Sequence, residues 1–444
     1  MSYRELGPGA GYYLIAFDKD GNERQDDPDG LMSARLIDAL GSGTYTDVFL
    51  ASHGWKGDVP AAIDQYDRWF GALLALGDDL AAAKARRAGF KPLLIGLHWP
   101  SLPFGDEEFG DGAFAAADLP AIDLVESYVQ KLGDTPEIRE CLTIIADAVK
   151  NQAGALQLSP EVAQAYLRLN DALGLGSGDL DSPPDADRAS FDPDEALGTA
   201  RAASFGIGNV LGNLPLLILR QLSFWAMKKR GRMIGETAFH PLLRKLMDAG
   251  AAPPDHTRFH LMGHSFGCVA ISSMICGPQG KGRLPRGVDS VMLVQGALSL
   301  WSYSPAIALA GGKPGYYALL LDGGRVAGPL AVTRSIHDTA VGKLYPLASK
   351  VKGSVDFAPK TLPRFGGLGA FGAQGLAPDQ AGGQTGPEGA IGTIAASYVF
   401  ERGKLHNLDG SSVIRKGGGL SGAHNDIDGP EVAHLWWELA RNAG

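Results

Sequence analysis

Three cysteines in 444 residues, Cys141, Cys268 and Cys276, are too few to staple a fold of this size, and their odd number leaves at least one thiol unpaired. Reduced thiols and a cytoplasmic location are the expectation. Positive charge is also short, with 40 Lys and Arg against 49 Asp and Glu, a net charge of −9. Nucleic acid is excluded as the main partner on that balance. The opening stretch, MSYRELGPGAGYYLIAFDKDGNER, has no basic segment followed by an apolar core, so no signal peptide is expected. Nor does any apolar run reach membrane-spanning length intact. The longest, NLPLLILRQLSFWAMKKRGR (213–232), is interrupted by Pro215 and Arg220, which predicts no transmembrane segment. A P-loop and an H-E-x-x-H motif are both missing, and no metal or organic cofactor is expected.

What the chain does have is apolar material, 45% of its residues, arranged in a rhythm. Short unalternating runs recur between turn residues: a first strand over 12–17, then DVFLAS (47–52), PLLIGLHW (92–99), RFHLM (258–262), SVMLVQ (290–295) and LAVTRSI (330–336). Helical spacing separates them. Unalternating runs suit strands buried on both faces, and strands alternating with helices suit a mostly parallel sheet flanked by helices. The fold class is therefore α/β.

Residues 104–224 break the rhythm. No strand is expected there, and helix starts are marked at Thr135-Pro136-Glu137 and Ser159-Pro160-Glu161, each a cap, a proline and an acid. The division predicted is a core part over 1–103, a helical cap or lid over 104–224, and a second core part over 225–444. The apolar helix that closes the insertion has two readings. It is a buried helix on the sheet, or it carries a lid face, with Leu217 and Phe224, that meets an apolar substrate or a lipid interface. A glycine-rich loop over 364–392 contains GLGAFG (367–372), a formal dinucleotide fingerprint. Without a strand before it and a helix after it, the match is discarded as compositional.

FHLMGHSFGCVA (259–270) carries the chemistry. Gly263-x-Ser265-x-Gly267 is a frequent accident in a chain with 61 glycines, so the setting decides. Here an apolar strand precedes the serine and a compact helix follows it, and only at such a turn does Oγ project free of the sheet. Serine needs a base, and the base an orienting carboxylate. His424 lies in a loop before a final helix started by Asp428-Gly429-Pro430, with Asp428 expected as its cap. Asp338 lies just beyond the strand 330–336. Of the other histidines, His264 points elsewhere on the elbow, His337 diverges from its neighbour Asp338, His406 follows a short strand, and His434 sits within the last helix. Backbone donors for an oxyanion are assigned to Phe266, after the serine, and Trp55, in the turn His53-Gly54-Trp55.

Segments 47–55, 258–277, 330–338 and 420–428 resemble the oxyanion loop, nucleophile elbow, acid loop and histidine loop of the α/β-hydrolase superfamily, particularly its lipase- and esterase-like members. The resemblance covers most of 10–103 and 225–444, in the family's order. LHWPS (97–101) and TRSIHD (333–338) are similar to segments of uncharacterised bacterial members. The insertion departs from the pattern, since the family's commonest cap follows the sixth strand. The resemblance implies an α/β-hydrolase fold and a serine hydrolase with nucleophile Ser265, base His424 and acid Asp338, acting on a small or lipid-like ester. Amidase or acyltransferase chemistry on the same residues, and a non-catalytic ligand- or protein-binding module, are the alternatives.

Overall fold

A computed structural model describes residues 3–25, 27–55, 59–101, 120–151, 157–175, 190–204, 214–251, 256–344, 362–418 and 421–443. Eight strands form one sheet in the order β1-β2-β4-β3-β5-β6-β7-β8. They are β1 (Tyr3–Gly7), β2 (Ala10–Ala16), β3 (Asp47–Ser52), β4 (Pro92–His98), β5 (Arg258–His264), β6 (Ser290–Val294), β7 (Leu330–Arg334) and β8 (Leu405–Asp409). Only β1 and β2 pair antiparallel; every other pair is parallel. The α/β expectation is met.

The unalternating runs are explained by what covers them. In β3, Val48 and Leu50 enter one core, and Phe49 and Ala51 the other. The first core is closed by helices α1 (Met32–Gly41), α9 (His240–Ala249) and α10 (Gly267–Cys276). The second is closed by α2 (Val59–Ala75), α3 (Gly77–Arg86) and α12 (Pro430–Arg441). A strand coated on both sides has no use for polar alternation. β1 fell outside the sequence expectation for the complementary reason: it is an edge, and YRELG is polar enough to read as loop. The other edge, β8, was expected only as a short strand ending before His406. His406 lies inside β8 rather than after a strand.

Between β4 and β5 the described residues are helical: α4 (Ala121–Leu132), α5 (Pro136–Asn151), α6 (Pro160–Ala172), α7 (Pro193–Ser204) and α8 (Leu214–Ile234). Two caps act as expected. Thr135 Oγ1 accepts from the Ile138 amide at 3.2 Å, and Ser159 Oγ from Val162 at 3.3 Å. These helices have a core of their own, with Leu142, Ile145, Tyr166 and Leu169 buried at its centre. Helix α8 belongs to two cores. Leu216, Ile218, Leu219 and Leu222 pack in the helical cluster, whereas Met227 and Ile234 pack under the sheet. It runs through residue 224 unbroken. Among the described residues no helix is long and apolar enough to cross a membrane.

Candidate active site

The parallel strands β3, β5, β6 and β7 end side by side, and the candidate residues sit just beyond those ends. β5 stops at His264 and α10 starts at Gly267, leaving Ser265 and Phe266 to make the turn. Ser265 takes φ +55°, a left-handed conformation that costs a residue with a Cβ about 1–2 kcal/mol. Hydrogen bonds around it hold the turn. Its N–H donates to Val294 O at 3.1 Å, and its carbonyl accepts from the amides of Cys268 and Ala297 at 3.1 and 3.2 Å. The flanking glycines are steric necessities. A Cβ on Gly263 would lie 2.6 Å from Gly267 O, and one on Gly267 would lie 2.1 Å from Ser52 O.

Asp338 follows β7 after a short turn and is fully buried. Its Oδ2 accepts from His424 Nδ1 at 2.8 Å and from Gln295 Nε2 at 2.9 Å, and its Oδ1 accepts from the Val341 amide at 3.0 Å. The acid and histidine loops are also bonded through their backbones, Ala423 N to His337 O at 2.9 Å and Ala340 N to Ser421 O at 3.3 Å. His337 is exposed while Asp338 is buried, the divergence expected of neighbours. The histidine loop meets the elbow one residue from the serine: His264 Nε2 donates to His424 O at 2.9 Å, and the two rings lie 4.9 Å apart. Asp338 and His424 are thus brought into direct contact, and His424 is tied to the elbow. Among the described residues Ser265 Oγ makes no hydrogen bond.

The acids nearer in sequence are occupied elsewhere. Asp426 Oδ2 accepts from the amides of Arg415 and Lys416 at 2.8 and 2.6 Å. Asp428 pairs with Arg68 at 2.9 Å, and Gly429 is the first flanking residue of α12, with no side-chain cap. The expected capping role of Asp428 is therefore wrong: the carboxylate turns to a guanidinium on α2 rather than back to the helix amides.

Gly54 lies against the candidate nucleophile, and a Cβ built on it would be 2.4 Å from Ser265 Cβ. The Gly54 carbonyl accepts from His53 Nδ1 and from Ser101 Oγ, both at 2.8 Å. A trans peptide points its N–H opposite its C=O, so the Trp55 N–H is aimed away from His53 and Ser101. The Phe266 N–H belongs to the first turn of α10, where helical amides have no carbonyl partner within the helix. Phe266 also has an aromatic surround. Its ring lies 5.6 Å from Trp55 and 4.9 Å from Phe224 of α8, and Trp55 and Phe224 are 6.0 Å apart. Leu217, the other residue expected on this wall, has a side chain outside the described residues.

Two participants escaped the sequence. Gln295, directly after β6, is the second donor to Asp338; a glutamine ending an apolar run carries no local signal. His98, at the end of β4, lies with its Nδ1 3.1 Å from His53 Nε2. The Gly54 carbonyl fixes His53 as the Nδ1–H tautomer, so Nε2 accepts from His98 and from the Trp99 amide at 3.3 Å. Burial pushes the imidazoles down, His53 from 6.5 to about 4, and His98, pressed also by His53 and Arg24, to about 2. Both stay neutral where the unfolded chain takes up protons. Stability from this pair is accordingly lost as pH falls from 6.5 toward 4, at up to about 1.4 kcal/mol per pH unit for each histidine. Urea melts between pH 6.5 and 4.5 should show the slope, and His98→Asn, which keeps a donor toward His53, should remove about half of it. An unchanged slope in that variant would count against the neutral pair.

The other glycine-rich match is structural. GLGAFG forms α11 (Leu368–Phe371), a single turn, and a Cβ on Gly369 would lie 2.7 Å from Gln295 Cα. Comparison of the chain with family models, curated proteins and solved structures gave no match.

Proposed function

We propose that the chain is a serine hydrolase of the α/β-hydrolase type that cleaves carboxylic esters through an acyl-enzyme. The observation that carries this reading is the buried Asp338–His424 pair, 2.8 Å across, in a loop bonded to the elbow that strains Ser265. A buried carboxylate on Nδ1 fixes the tautomer that leaves Nε2 as the basic nitrogen. Ser265 Oγ attacks the ester carbonyl as His424 Nε2 takes its proton. The negative oxygen of the tetrahedral intermediate is received by the N–H groups of Phe266 and Trp55. His424 then protonates the leaving alcohol, and water, activated by the same nitrogen, releases the acid. Catalytic hydrogen bonds commonly tighten only when substrate fills the site, which accounts for Ser265 Oγ making no hydrogen bond among the described residues.

The helices α4–α8 are read as a cap, with Phe224 in its wall beside Trp55 and Phe266. Phe224→Gln should then lower kcat/KM for long-chain p-nitrophenyl esters more than for the acetate. Each buried methylene is worth about 0.8 kcal/mol, so the loss should grow with chain length. Equal losses along the series would take Phe224 out of the acyl wall.

The hydrolase reading is tested by fluorophosphonate labelling and p-nitrophenyl ester turnover. Wild-type protein should be labelled on one serine and should turn over esters. Turnover of the anilide and not the ester would make it an amidase. No label and no turnover would end the enzyme reading.

A further inference from the structure

We propose that Gln295 is a positioning residue for the Asp338–His424 pair, its carboxamide holding the carboxylate oxygen that receives the imidazole proton. The consequence for catalysis rests on the hydrolase reading above; the hold on the pair does not.

The hydrogen bonds leave the carboxamide one orientation. Thr333 Oγ1 accepts from the Gln295 backbone N–H at 3.1 Å, so its single proton is free to go to Gln295 Oε1 at 2.9 Å. That makes Oε1 the acceptor and turns Nε2 toward two groups that can only accept, Asp338 Oδ2 at 2.9 Å and Gly369 O at 3.0 Å. Both amide protons and the amide oxygen are used, and the residue is fully buried. A side chain so completely bonded cannot rotate without stranding polar groups in the core.

The backbone is arranged to allow this. Gln295 has φ +49°, unusual for a residue with a side chain, directly after the last residue of β6. Ser265, at the end of the neighbouring strand, is held in the same region at φ +55°. The two strained positions are bonded through Val294, whose carbonyl takes the Ser265 amide. Strain of this kind persists where surrounding contacts over-determine it, and it clusters at functional sites. The small Gly369, which lets the 367–372 turn press against Gln295 Cα, completes the clamp.

The clamp acts on one atom. Asp338 Oδ2 accepts from both Gln295 Nε2 and His424 Nδ1, so the glutamine sets where the imidazole finds its acceptor. Among the described residues, the titratable groups in contact with His424 are Asp338, bonded to Nδ1, and His264, whose ring lies 4.9 Å away; Asp426 is turned to backbone amides instead.

The test uses the full chain with Gln295→Met and Gln295→Glu. Methionine keeps the shape and removes the donor. It should lower kcat for a p-nitrophenyl ester about 10- to 100-fold, with KM within about twofold, and the loss should be the same at every pH. Glutamate donates to Oδ2 only while protonated, and burial beside a carboxylate raises its pKa. Its kcat relative to wild type should therefore be highest at the acidic end of the range, well above the methionine variant. A glutamate variant no better than methionine at low pH, or a methionine variant with wild-type kcat, overturns the proposal. A readout independent of turnover is the downfield proton resonance of His424 Nδ1–H. It should be sharp in wild type, broadened in Gln295→Met and restored in Gln295→Glu at low pH. If wild type turns over no ester, the hydrolase reading fails and this resonance alone decides the role of Gln295; an unaltered resonance in Gln295→Met refutes it.

Discussion

Ser265→Ala should abolish ester turnover and fluorophosphonate labelling, and the variant should fold as the parent does. The two halves of that result have different causes. Alanine retains the Cβ that packs against Gly54 and leaves the turn backbone and its hydrogen bonds in place. Ser265 Oγ makes no hydrogen bond among the described residues, so its removal strands no buried partner. Stability should therefore change by less than about 0.5 kcal/mol. Activity has no such protection. Removing a nucleophile that acts as a unit with its base costs about 10⁶ in kcat, and what survives comes from the oxyanion donors and substrate binding. Circular dichroism and urea melts on the purified variant test the first half, and burst kinetics with an activated ester the second. Full activity in a folded Ser265→Ala protein would remove the elbow from the chemistry.

Asp338→Asn should lower kcat by about 10⁴. The carboxylate receives three donors: His424 Nδ1 and Gln295 Nε2 on Oδ2, and the Val341 amide on Oδ1. Asparagine has one oxygen and one NH₂, so one group of donors must face another donor. If the NH₂ faces His424, the imidazole has to carry its proton on Nε2, the nitrogen that must be basic. If it faces Val341, the tautomer survives, but the imidazolium formed during attack loses its counter-charge, and a buried amide is left unsatisfied at about 1–3 kcal/mol. Asp426→Asn is the control, because an asparagine oxygen still accepts from Arg415 and Lys416; its kcat should stay within about tenfold of wild type. A near-normal Asp338→Asn beside a dead Asp426→Asn would transfer the acid to the histidine loop.

How much of this was legible in the sequence depended on whether the deciding contact was local. Strands β2 to β7 could be read because burial on both faces removes polar residues from a continuous run. The elbow could be read because glycine, serine and glycine between a strand and a helix record backbone approach directly. That Asp338, rather than the nearer Asp426 or Asp428, meets His424 was legible from its place past a strand end. Partners chosen across the fold were not legible. Asp428 looked like a cap until Arg68 of α2 came within 2.9 Å of it. Gln295 and His98 each end an ordinary-looking strand, and their roles depend on atoms of Asp338 and His53 that lie tens of residues away.

Helix α8 has a mechanical consequence. Its 21 residues make a rod about 30 Å long, one half embedded in the helical cluster and the other fixed under the sheet. A rod fixed at one end is a cantilever, and deflection grows with distance from the support. Phe224 stands at mid-length, close to where support begins with Met227, so a sideways load on the outer helices moves it far less than it moves Leu216. The ring beside Phe266 thus stands near the supported part of the rod, and a load on the outer helices is delivered to the sheet end, at Ile234 and the π-helical segment Gly235–Phe239 that follows.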